Sequence, residues 1–161
     1  MNYATYSDYI ALYGDGISTA TFDRLLWDAS RVMDDHTTGL DHLPKLRTYF
    51  PTDSYDAESI KRCACELVAL MYRVEEAEKA SSGYVVREDG TAVGKRVASV
   101  SSGSESISYA TSGNVSAVDA AVTDLGARRS LFLDTVRKYL SGCKDANGVN
   151  LLFMGVYPRV R

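Results

Sequence analysis

Residues 54–80 read SYDAESIKRCACELVALMYRVEEAEKA, and their spacing decides the fold. Ile60, Cys63, Ala64, Leu67, Val68, Met71 and Val74 recur at the three- and four-residue steps of one helical face. At about 1.5 Å per residue the helix is roughly 36 Å long, enough to span a domain. Cys63 and Cys65 stand two positions apart on it, so their side chains point about 200° from one another and cannot chelate one ion together. Core packing is the reading for Cys63.

Two further helices flank it. Upstream, ISTATFDRLLWDASRVMDDHT carries Phe22, Leu25, Leu26, Ala29, Val32 and Met33 on one face, with Ser18 or Thr19 available as N-cap. Before that, YSDYIALYGDG predicts a short helix from about Ser7 to Tyr13, stopped by two glycines, with its tyrosines over the edge of the core. Downstream, the spacing predicts a third long helix from about Ser116 to Leu140, carrying Val118, Ala121, Val122, Leu125, Phe132, Val136 and Tyr139. Ser116 and Asp119 form a box-like start, Gly142 a stop, and Gly126 a bend midway. Arg129 falls on this apolar stripe between Leu125 and Phe132. An unpaired guanidinium is costly to bury, so Arg129 must either reach solvent or pair across a subunit boundary.

More than thirty residues between the second and third long helices lack helical periodicity, and loops of that length inside compact domains are uncommon. Residues 97–111 read VASVSSGSESISYAT, and turn signals stand at Asp89-Gly90 and Ser102-Gly103. An extended β-hairpin-like arm is expected over about 84–112, with Val97, Val100, Ile107 and Tyr109 as its contact residues and Ile107 and Tyr109 on one strand face. After Gly142 the chain turns at Asn147-Gly148 and ends in LLFMGVYPRVR, an apolar and aromatic tail with two arginines. The expected fold is mainly all-α: one domain over 1–161, a bundle of three long helices with a short N-terminal helix, and the arm between the last two long helices.

Composition narrows the function. Apolar content of 45% and charged content of 24% are ordinary for a folded soluble protein. No run approaches the roughly 18 apolar residues of a membrane span, and the start has no basic-then-apolar leader pattern, so a soluble cytoplasmic protein without membrane contact is expected. Three cysteines argue for reduced thiols rather than a disulfide framework. The net charge of −3 suits tight duplex binding poorly. Its distribution is uneven: residues 1–60 hold ten acids and four bases (−6), residues 126–161 seven bases and two acids (+5).

Catalytic signals are weak. DDHTTGLDH gathers Asp34, Asp35, His36, Asp41 and His42, which could in principle offer metal ligands, but helix capping and turn formation explain the same residues and no ligand spacing recurs. GDG and SSGS lack the lysine and the strand-to-helix setting of a phosphate loop. Neither histidine stands in a nucleophile context. No catalytic residue, metal or cofactor is expected.

The order of features, by contrast, is distinctive. YATYSDYIALYGDGIS, then FDRLLWDASRVMDDHTTG with Asp34 and Thr37, SIKRCACELVALM, VASVSSGSESISYA, VRKYLSG and LLFMGVYP together resemble the head–tail connector (adaptor, or head-completion) family of tailed phages over nearly the whole chain. The insert KDANGVN, Lys144 to Asn150, departs from the tighter turn usual there.

The resemblance implies a non-enzymatic, mainly helical subunit. Such a subunit assembles as a ring, typically twelvefold, beneath the portal protein and extends the DNA channel toward the stopper (head-closure) protein, with DNA passing through without sequence-specific binding. It would reside in the host cytoplasm during assembly and then in the virion neck. On this reading Arg128 and Arg129 belong to a basic surface meeting acidic first helices of the next subunit. Leu152, Phe153, Val156, Tyr157, Arg159 and Arg161 form a docking tail for the portal or a neighbour. Two rivals are a small helical prophage regulatory or DNA-binding module, disfavoured by the acidic balance, and a small enzyme using His36 and His42.

Overall fold

The computed structural model describes residues 2–79 and 116–158 in full, with backbone alone through Ser81 and at the short segments 84–86, 92–94, 99–102 and 105–108. The expected arm, and with it the side chains of Val97, Val100, Ile107 and Tyr109, falls outside the fully described residues. The structure is mainly helical, with six helices among the described residues.

The first helix, α1 (Tyr6–Tyr13), begins with a reciprocal cap: the Asp8 N–H donates to Thr5 Oγ1 at 3.2 Å and the Thr5 N–H to the Asp8 carboxylate at 2.9 Å. Gly14 ends it at φ +78°, a backbone region that glycine enters at little cost. α2 (Thr19–Thr37) is capped by Ser18, whose Oγ accepts from the Thr21 N–H at 3.2 Å, and buries Phe22, Leu25, Leu26, Ala29 and Met33. A single helical turn, α3 (Lys45–Thr48), follows Pro44; it is too short to leave a periodic signal.

α4 (Ser54–Ser81) is the axle of the bundle, as its length and stripe predict. Asp53 Oδ1 caps it, accepting from the N–H groups of Tyr55 (2.9 Å) and Asp56 (3.1 Å). It packs against α1, α2, α5 (Ala117–Thr123) and α6 (Leu125–Leu140), so its buried surface is wider than one stripe. Cys63 and Cys65 are therefore both buried, Cys63 toward Cys143 and Cys65 near Tyr9 and Asp8 of α1. Ile60, Leu67 and Val68 of α4 join Phe22, Leu25, Leu26, Leu46, Val136, Leu140 and Leu151 in one core.

Two expectations for the last long helix are corrected. It is not one helix from Ser116 to Leu140 bent at Gly126, because Asp124, in extended backbone (φ −126°, ψ 117°), divides it. The Asp124 N–H closes α5 on the Ala120 carbonyl at 3.0 Å, and its carboxylate opens α6 by accepting from the Gly126 N–H at 2.7 Å. The break also turns the stripe: Leu125 is 73% exposed, Arg129 is exposed, and core burial begins only at Thr135, Val136 and Leu140. Among the described residues no helix is long and apolar enough to cross a membrane.

Candidate interaction surfaces

The C-terminal segment is built on Asp145. This buried carboxylate accepts from the N–H groups of Asn147 and Val149, each at 2.9 Å, and folds Lys144–Asn150 into a turn that Gly148 completes at φ +79°. The apparent insert is thus a formed turn with a bridge from Lys144 to Asn150. Leu151 is then fully buried and Leu152 packs against the core.

Beyond Leu152 the tail lies over the loop between α2 and α3. Buried Lys45 donates from Nζ to the Phe153 carbonyl, and burial pushes its ammonium pKa down. The Leu40 N–H donates to the Met154 carbonyl at 3.1 Å, and the Tyr157 N–H to the Asp41 carboxylate at 2.9 Å. A Cβ added at Gly39 would sit 2.5 Å from the Gly155 oxygen, so the close approach requires glycine. The Tyr157 ring stacks on Tyr49 at 5.0 Å, and its hydroxyl donates to Asp145 at 2.5 Å. Burial and this carboxylate raise the Tyr157 pKa to about 12.

Of the expected docking residues, Leu152 and Tyr157 are therefore engaged by their own subunit, while Phe153 and Val156 are exposed beside Leu40 and Met154. Arg159 and Arg161 lie outside the described residues.

Arg128 and Arg129 part company. Arg128 turns inward, pairing with Glu78 of α4 and donating from Nε to the Ala121 carbonyl at 2.9 Å. Arg129 points outward, with no ion pair among the described residues. Leu125, Gly126, Arg128, Arg129 and Phe132 line one shallow hollow.

The acid and histidine cluster disperses in three dimensions. Asp34 is buried, accepting from the Tyr3 hydroxyl and pairing with Arg47 at 3.2 Å. Asp41 holds the Leu43 and Tyr157 backbone. His42 occupies a turn at φ +57°, and its N–H donates to the Gly39 carbonyl at 3.0 Å. His36 is partly buried, and burial lowers its pKa with Arg137 and Arg129 nearby. It lines a hollow with Ser130, but among the described residues no hydrogen bond joins the two. No group of three histidine, cysteine or carboxylate side chains among the described residues could hold a metal.

Sequence reasoning missed Tyr3 with Asp34, and Lys45 with the Phe153 carbonyl, since both link positions far apart in the chain. The tyrosine-rich start was the only signal for the first pair. No protein-family model, curated protein or solved structure matches the chain.

Proposed function

We propose that the chain is a structural subunit of a phage or prophage head–tail connector ring, docking under the portal protein, extending the DNA channel and joining the head to the stopper and tail. The observation that carries this reading is the placement of exposed apolar side chains on a well-bonded helical body. Leu125 stands at the start of α6, and Leu40, Phe153, Met154 and Val156 stand with the tail that follows its other end. Sixteen residues of α6 separate the two ends by about 24 Å. Two different sticky surfaces on one subunit suit head-to-tail assembly, which needs two unlike patches and closes into a ring when the rotation allows.

The motif order supports the same reading, as does the acidic balance, since a channel wall without excess positive charge lets phosphates slide. In this role the chain is no enzyme and needs no cofactor. Twelve copies of 17.6 kDa make a ring of about 210 kDa. Co-sedimentation with the portal protein of the same genome tests the proposal. The chain is expected to travel with the portal and to leave duplex DNA unshifted in a gel at moderate salt. A chain that ignores the portal but shifts DNA would favour the regulatory alternative.

A further inference from the structure

The two arginines at the start of α6 have opposite fates, and the outward one makes no ion pair among the described residues. Leu125, Arg129 and Phe132 succeed one another at steps of four and three along α6, forming a stripe on one face. Leu125 and Arg129 are exposed and Phe132 is only partly covered. Arg128, fixed on Glu78 and the Ala121 carbonyl, braces the adjoining wall. The result is a small apolar seat carrying one guanidinium that has no ion pair among the described residues.

Its complement lies at the other end of the chain. Residues 2–23 contain Asp8, Asp15 and Asp23 but neither lysine nor arginine. α1 exposes Ile10, Leu12 and Tyr13, and the exposed turn after it carries Asp15. Asp8 is engaged by Lys61 at 3.3 Å, whereas Asp15 has no ion pair among the described residues. Ile10 and Tyr13, three positions apart on one side of α1, and a carboxylate with no ion pair among the described residues thus face solvent on the same molecule as an apolar seat whose guanidinium has none among them either. The two patches differ, so their union is head-to-tail.

We propose that the Leu125–Arg129–Phe132 stripe of α6 is the seat for the end of α1 of a second copy, with Asp15 of that copy pairing with Arg129. The inference rests on the ring reading and specifies one interface within it.

The test uses the full chain. Nitroxide is attached at Gly16→Cys, a position with open space around it, and this unlabelled chain is mixed at near-millimolar concentration with ¹⁵N-labelled wild type. Intermolecular broadening is expected at the amides of Leu125 to Leu133. Arg129→Glu in the ¹⁵N chain should weaken the association about tenfold, and Asp15→Lys in the nitroxide chain should restore it. Association with broadening elsewhere, or insensitive to both reversals, overturns this interface while leaving a self-assembling subunit intact. No intermolecular broadening anywhere, as when residues 82–115 of the same chain cover the stripe, also overturns it; the ring reading is then judged separately by portal co-sedimentation.

Discussion

Arg128 and Glu78 join the start of α6 to the last turns of α4, across fifty residues of chain, and the same guanidinium donates to the Ala121 carbonyl of α5. One side chain therefore ties three helices at the place where the chain leaves α4 and returns. Arg129, its immediate neighbour, makes no ion pair among the described residues.

The pair separates cleanly by mutation. Arg128→Ala is expected to lower stability by about 1 kcal/mol, since it removes a partly exposed ion pair and one bond to a backbone carbonyl. Arg129→Ala should stay within about 0.5 kcal/mol of wild type, as for ordinary surface changes. Urea unfolding of the isolated chain measures both. Equal losses would contradict the inward and outward assignment.

The tail is held by Asp145, which accepts from two backbone N–H groups and from the Tyr157 hydroxyl. Tyr157→Phe removes one hydrogen bond and should cost about 1 kcal/mol; Asp145→Ala leaves buried donors unmet and should cost about 3 kcal/mol. Limited proteolysis should then cut within 151–157 much earlier in Asp145→Ala than in wild type. A tail equally protected in both would show that Asp145 does not organise it.

Alkaline pH acts on four tyrosines. Burial leads in raising the pKa of Tyr3, Tyr9, Tyr13 and Tyr157, helped by Asp34 at Tyr3, Glu66 at Tyr13 and Asp145 at Tyr157. A folded pKa above the unfolded value of about 10 means that the unfolded chain loses these protons first. Stability from these groups is complete below pH ~10 and declines as pH rises toward 12 and beyond. Absorbance at 295 nm should show a late-titrating set that merges with the rest in urea. A single ordinary titration of all eleven tyrosines would be inconsistent with these contacts.

The three thiols should be inert. Burial raises the Cys63 pKa strongly and those of Cys65 and Cys143 to about 11, so almost no thiolate exists at neutral pH. A thiol-disulfide reagent at pH 7.5 should find three reactive groups only after denaturation. Prompt reaction of the native chain would mean that α4, or the segment after α6 that carries Cys143, opens far more readily than its packing allows.

The long helices were legible because burial writes a repeat into them: the expected stripes of α2 and α4 are buried except Val32, which is partly covered, although α4 also buries Cys65 and Leu70 outside its stripe. The break at Asp124 was not, because apolar spacing runs on across it while the cap depends on one carboxylate turned toward the Gly126 N–H. Lys45 reads as a surface residue, and its burial is intelligible only with the Phe153 carbonyl, 108 residues away, beside it. Likewise KDANGVN looks like a loose insert until Asp145 is seen gathering the backbone and Tyr157. Arg129 was the useful anomaly, since a charge on an apolar stripe marked the point where α6 departs from the core.

Electron microscopy of the chain mixed with the portal protein of its own genome tests the central claim most directly. The account predicts an added layer of density below the portal, closed on itself, with the portal's rotational symmetry and about 17.6 kDa per repeat. Portal particles with no added layer, the chain remaining free at its subunit mass, would contradict it.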